Sequence, residues 1–182
     1  MGILEENASD QTQINGVFFE VISLSQYAKK MPPLVIVSMP MLLLDVVSKW
    51  IIRENISLGD GFAVIPGFFN IRHDRNTGAA FGILSDQRTL LILITIAALI
   101  FIFWYSFRFQ NSRWMQYALG FLLGGAIGNF IDRIFLGSVV DFLQFGIESK
   151  RLFWPTFNVA DVSVCIGAGM LIVFLFKVQN KT

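Results

Sequence analysis

The sequence predicts a mainly α-helical integral membrane protein, a four-helix bundle with a small β-sheet and a short helix or lid gathered on one of its faces. Three observations predict it. Hydrophobic residues make up 54% of the 182 and charged residues only 15%, where soluble proteins carry roughly 25% charged residues. Four apolar stretches approach bilayer length, at 34–52, 89–107, 114–135 and 160–176. Nearly every unusual polar group falls at one end of those stretches.

Residues 1–33 read as an N-terminal extension. An acidic, polar start is followed by a mixed stretch that lacks the basic opening and apolar core of a cleavable signal peptide. Residues 14–28 place apolar side chains at 14, 17, 18, 21, 22, 24 and 28. That spacing fits an amphipathic helix lying on a surface, and a plain tail remains the alternative.

The first stretch, 34–52, carries Asp45 and Lys49 near its end. A helix of about 18 residues rises about 27 Å, close to the hydrocarbon thickness of a bilayer. Asp45 and Lys49 are four apart, so they share a helix face and are placed to pair. Residues 55–88 read differently. Stretches 62–65 and 68–72 are short and strand-like, divided by Pro66-Gly67, and Asn76-Thr77-Gly78 signals a turn. They predict a small sheet lying on the membrane, with residues 79–87 forming the short helix or lid.

The second stretch has no charged residue. The third holds Gly120, Gly124 and Gly128, a small-xxx-small spacing that lets helices approach closely. It ends in Asn129, Asp132 and Arg133, an adjacent acid and base read as a local ion pair. The fourth opens at Asp161, and residues 178–182 form a tail. By connectivity alone, spans one and three end on the side where spans two and four begin. Asp45, Lys49, Asn76, Gly78, Asn129, Asp132, Arg133, Asp141, Asn158 and Asp161 converge there. Ionisable groups within spans are costly and mark function by default. Snorkelling to the interface is the alternative, fitting Lys49 and Arg133 better than the short aspartates. Trp50 and Trp154 are expected to flank this side, and Trp104, Tyr105, Trp114 and Tyr117 the other.

Composition excludes several classes. The net charge of +1 gives no basic field for nucleic acid. A lone cysteine, Cys165, and a lone histidine, His73, exclude an internal disulfide and make a zinc centre improbable. Cys165, inside an apolar run, is expected to be a small buried hydrophobe. Ser48 and Lys49 are adjacent on a helix and face apart, a poor nucleophile dyad. Lysines and arginines outside the spans divide six to six between the two sides, and only their density beside the 108–113 link leans toward that side being cytoplasmic.

Asp141 and Asp161 suggest a chemistry. Two carboxylates close together in a dry site share one proton, so one takes a proton from water while the other polarises a carbonyl. Their spacing serves ion ligands, a proton relay or helix caps equally well. A small proton- or ion-coupled carrier using the same acids stays open at this point.

Five segments in order resemble the lipoprotein signal peptidases, also called signal peptidase II. They are Asp45-Val46-Val47-Ser48-Lys49, Asn76-Thr77-Gly78-Ala79-Ala80-Phe81, Gly124-Gly125-Ala126-Ile127-Gly128-Asn129-Phe130-Ile131-Asp132-Arg133, Gly137-Ser138-Val139-Val140-Asp141-Phe142 and Phe157-Asn158-Val159-Ala160-Asp161. The resemblance spans about 34–177 and says nothing of residues 1–33. It implies a single membrane protease domain over 34–177, an aspartic endopeptidase that needs neither metal nor cofactor. It implies removal of signal peptides from diacylglyceryl-modified prolipoproteins, before the lipidated cysteine. The catalytic pair would be Asp141 and Asp161. Asp45, Lys49, Asn76, Gly78, Asn129, Asp132, Arg133, Asn158 and Ala160 would support it, Asp45 by binding substrate backbone and Gly78 by an unusual backbone conformation. The enzyme would sit in the bacterial cytoplasmic membrane with its site at the extracytoplasmic face and both termini in the cytoplasm. The cyclic peptide globomycin would be its inhibitor.

Overall fold

The computed structural model describes residues 32–79 and 83–179. Residues 1–31, and with them almost all of the expected N-terminal extension, lie outside the described residues, as do 80–82 and 180–182. Four long helices form: α1 (Pro33–Asn55), α2 (Arg88–Arg108), α3 (Arg113–Phe135) and α4 (Val159–Gln179). All four are long and apolar enough to cross a membrane. Each begins and ends within a few residues of the predicted stretch. Pro33 opens α1, where a missing N–H costs nothing. Ser112 caps α3 by accepting the Met115 N–H at 3.4 Å.

The helix exteriors expose Leu43, Leu93, Phe103, Phe107 and Leu175 among many other large apolar side chains. In water such a surface is untenable, and in a lipid solvent it is the expected one. The core is correspondingly narrow and lies around α3, which packs against α1, α4 and α2. Its glycines make this possible. A side chain at Gly120 would come within 2.7 Å of the Leu34 carbonyl, and one at Gly124 within 2.8 Å of the Ser38 carbonyl, both on α1. Gly125 presses likewise on the Ala160 carbonyl at the start of α4, and Gly128 on the Asp45 carboxylate of α1. The predicted small-residue spacing is therefore a real helix contact. At the other end Gln116 of α3 donates to the Ser106 and Phe109 carbonyls and closes the α2–α3 link.

The sheet is larger than predicted. It has four antiparallel strands, β1 (Gly61–Ile65), β2 (Phe69–Asn76), β3 (Val139–Ile147) and β4 (Leu152–Phe153), in the order β1-β2-β3-β4. β3 reads in sequence as a connecting stretch, because its alternation is masked by buried apolar residues on both faces at Val139, Val140 and Phe142. On β2 the ladder runs from Ile71 opposite Leu143 to Asp74 opposite Asp141. One extra residue on β2 makes a bulge there. Next to it His73 turns inward, buried, with Nδ1 2.7 Å from the Ile56 carbonyl beyond the end of α1. Ile52, Val140 and Phe142 form a second core that fastens the sheet to the bundle.

The short helix expected over 79–87 is not what the described part shows. Residues 83–86 form a turn, with Leu84 and Asp86 at positive φ. Positive φ is poorly compatible with a helix, and α2 starts only at Arg88.

Candidate active site

Asp141 and Asp161 reach the same place from two elements. Asp141 lies on β3, diagonal to Asn76 across the β2–β3 ladder, within reach for same-face neighbours. Asn76 Nδ2 donates to Asp141 Oδ2 at 3.0 Å, and Asn158 Nδ2 donates to Oδ1 at 2.7 Å. Asp141 is only 2% exposed. Burial, and after it the charge of Asp161, push its carboxyl from 3.8 up to about 7, against the opposing pull of the two amides.

Asp161 stands in the first turn of α4. Asn158 caps that helix: its Oδ1 accepts the Asp161 N–H at 2.9 Å, and Asp161 Oδ2 accepts the Asn158 N–H at 3.2 Å. This is a reciprocal capping box. The second oxygen, Oδ1, accepts from Asn129 Nδ2 at 2.8 Å. Asn158 therefore touches both carboxylates, one through its side chain and one through its cap.

Asn129 is oriented from below. Its Oδ1 accepts from Lys49 Nζ at 3.0 Å and from Asn158 Nδ2 at 3.2 Å, which leaves its own Nδ2 to face Asp161. Lys49 Nζ also pairs with Asp45 at 2.7 Å and Asp132 at 3.1 Å, all three nearly sealed from solvent. Each acid of this cluster grips a backbone N–H just before a candidate carboxylate. Asp45 Oδ1 accepts from Ala160 N–H at 2.8 Å, and Asp132 Oδ2 from Val140 N–H at 3.1 Å.

Asp161 also lines a cavity of about 620 Å³, together with Asn76, Asn129 and Arg133 on its polar side. Its apolar wall includes Trp154, Phe157, Val162, Cys165 and Ile166. A half-enclosed apolar groove beside two carboxylates of unequal burial suits an acid–base reaction on an extended, partly apolar ligand.

Comparison with known proteins identifies the group. The family described as Signal peptidase (SPase) II matches residues 37–177. The chain belongs to the signal peptidase II family. It is 41% identical over 148 residues to the lipoprotein signal peptidase of Bacillus pumilus (strain SAFR-032), covering 81% of this chain and 94% of that one. It is 42% identical over 149 residues to that of Staphylococcus aureus (strain JH9), covering 81% and 90%. A bacterial membrane enzyme solved by the in meso method superposes with a TM-score of 0.73 at 41% identity, over 82% of this chain and 91% of that chain. This is a multi-pass membrane protein of a bacterial aspartic protease family.

Within this signal peptidase II the supporting residues take distinct positions. Asn76, Asn129 and Asn158 contact the two aspartates directly. Asp45 does not meet the groove. It is fully buried, so the expected contact with substrate backbone gives way to a hold on α4. Asp132 and Arg133 form no pair with each other, because neighbours on a helix point about 100° apart. Asp132 turns to Lys49, while Arg133 Nη2 donates to the Gly78 carbonyl at 2.9 Å. Gly78 contributes its peptide groups, its N–H donating to Asn76 Oδ1 at 2.9 Å, and positive φ occurs instead at Gly59, Gly67 and Gly137. Cys165 is exposed rather than buried, since the apolar face it shares looks outward to lipid and groove. Sequence reasoning passed over the wall residues Trp154 and Phe157 as site components. It also passed over Arg88, counted only as a loop charge, although its place directly before the second stretch, on the clustered side, was visible.

Proposed function

We propose that Asp141 and Asp161 are the catalytic pair of this lipoprotein signal peptidase, which removes signal peptides from prolipoproteins. The observation that carries the reading is their unequal setting on a shared asparagine. Asp141, buried with its carboxyl near 7, is the group that holds the proton and polarises the scissile carbonyl. Asp161, at the groove wall, is the ionised partner that takes a proton from the attacking water. As the tetrahedral centre collapses, the proton passes to the leaving amine and the pair is reset. Asn129 and Asn158 keep both carboxyls aimed, and the Lys49 cluster holds the two backbone segments that carry them.

The substrate is a diacylglyceryl-modified prolipoprotein, cut before its lipidated cysteine, and the apolar wall of the groove suits its lipid-bearing segment. Globomycin, a cyclic peptide, is expected in the same groove. The sheet side is assigned to the extracytoplasmic face and both termini to the cytoplasm, in keeping with the denser basic residues at Arg108 and Arg113. Residues 34–177 form the protease domain, with 1–33 as an extension and 178–182 as a tail. The carrier reading of the same acids falls away with membership of a peptidase family.

The test is cleavage of a lipid-modified precursor peptide by the purified protein in lipid. Asp141→Asn and Asp161→Asn should each abolish cleavage while the protein inserts and melts cooperatively. Normal turnover by either variant would remove that residue from the pair. Reporter fusions at the two termini test the orientation, which is wrong if either terminus reports outside.

A further inference from the structure

Arg88, the first residue of α2, reaches across to the far end of α3. Its Nε donates to the Arg133 carbonyl and its Nη2 to the Ile134 carbonyl, both at 2.8 Å. These are among the last carbonyls of α3, which the helix itself leaves without partners. A cation at this negative end also complements the helix dipole. The same guanidinium lies over Gly137, where a side chain would meet Arg88 Nη1 at 3.5 Å. Gly137, at φ +78°, turns the chain from α3 into β3.

The place of this contact matters. Only Leu136, Gly137 and Ser138 separate the end of α3 from the strand carrying Asp141. On one side of the turn, Asn129 and Arg133 line the groove. On the other, Val140 is tied back to Asp132 and Asp141 follows. Arg88 thus clamps the corner between the two halves of the site without touching the groove. We propose that Arg88 is a positioning residue for the hydrolysis, fixing the α3–β3 corner so that Asn129 and Arg133 keep register with Asp141. A planar guanidinium grips two carbonyls at once, and a lysine ammonium at the same position holds one of them less rigidly. The inference rests on the catalytic pair proposed above. It goes beyond that reading by naming a residue of α2, a helix that supplies no group to the carboxylates.

The experiment uses full-length protein in lipid vesicles and a lipid-modified precursor peptide, with turnover, KM and thermal midpoint measured for each variant. Arg88→Gln should lower kcat by about tenfold and leave KM within about twofold, since small misplacement of reacting groups acts on the chemical step. Arg88→Lys should recover part of that loss. Gly137→Ala, which strains the same turn from the other side, should reproduce the fall in kcat and serves as the deciding variant if Arg88→Gln does not fold. Three results would overturn the proposal: unchanged kcat in Arg88→Gln (or in Gly137→Ala, should Arg88→Gln not fold), a rise in KM at unchanged kcat, or a loss that tracks the unfolded fraction and vanishes at lower temperature. Asp141→Asn and Asp161→Asn are run alongside. Activity in those variants would refute the catalytic pair, whereas their inactivity with a fully active Arg88→Gln would refute the role of Arg88 alone.

Discussion

Replacing Asp141 by Asn should stabilise the protein above neutral pH while silencing it. A carboxyl raised from 3.8 to about 7 binds protons more tightly in the folded state than in the unfolded one. Between those two values the folded protein carries the extra proton, so stability falls as pH rises through the window and is lowest above about 7. At about 1.4 kcal/mol for each tenfold in proton affinity, the ionised wild-type residue costs the fold roughly 4 kcal/mol. Asn has no such charge. It does bring an NH₂ group against one of two donors, Asn76 Nδ2 or Asn158 Nδ2, and so forfeits one hydrogen bond worth roughly 1–3 kcal/mol. The net gain at pH 8 is therefore roughly 1–3 kcal/mol, and at pH 5, where wild-type Asp141 is already protonated, the variant should be the less stable of the two. Thermal midpoints of both proteins in the same detergent, taken from pH 5 to pH 8, should cross. Parallel curves over that range would show that Asp141 is not a strained, proton-holding acid.

Three further outcomes follow from the same geometry. Turnover by the wild-type enzyme should fall as pH rises through about 7, as Asp141 loses its proton, and a rate still climbing at pH 9 would contradict its role as the acid. Lys49→Met should destabilise the protein by roughly 3–5 kcal/mol by stranding Asp45 and Asp132, and adding Asp45→Asn should recover part of the loss in a denaturation series. Cys165, exposed on the groove wall, should react with an apolar maleimide, and a bound precursor peptide should slow that labelling severalfold; equal rates with and without peptide would place the substrate elsewhere.

The helices were legible because a bilayer demands long uninterrupted apolar runs, and each run in this chain maps to one span within a few residues. The convergence of the acids was legible from connectivity, since four antiparallel spans leave few places for Asp45, Asp132, Asp141 and Asp161 to go. β3 was not. Its buried apolar residues give no period of two, and its partner β2 lies more than sixty residues away in sequence. The Asp45–Lys49 pair was legible from its spacing of four on one helix, but the charge partners that lie far apart in the chain were hidden. Asp132 sits beside Arg133 in the chain and pairs instead with Lys49, over eighty residues distant, because a helix separates neighbours by angle. Burial of Cys165 was misjudged for a related reason, as an apolar run in a membrane protein does not reveal which side faces lipid.

The glycines of α3 set a limit on how this enzyme can change. Gly125 abuts the Ala160 carbonyl and Gly128 the Asp45 carboxylate, so the floor beneath the two carboxylates leaves no room for a larger residue at either position of α3. A shift in substrate preference has to come from above. Trp154, Val162, Cys165 and Ile166 form a wall that is free to vary in bulk without disturbing the acids. Relatives that accept differently shaped precursors should then differ along that rim and coincide underneath it.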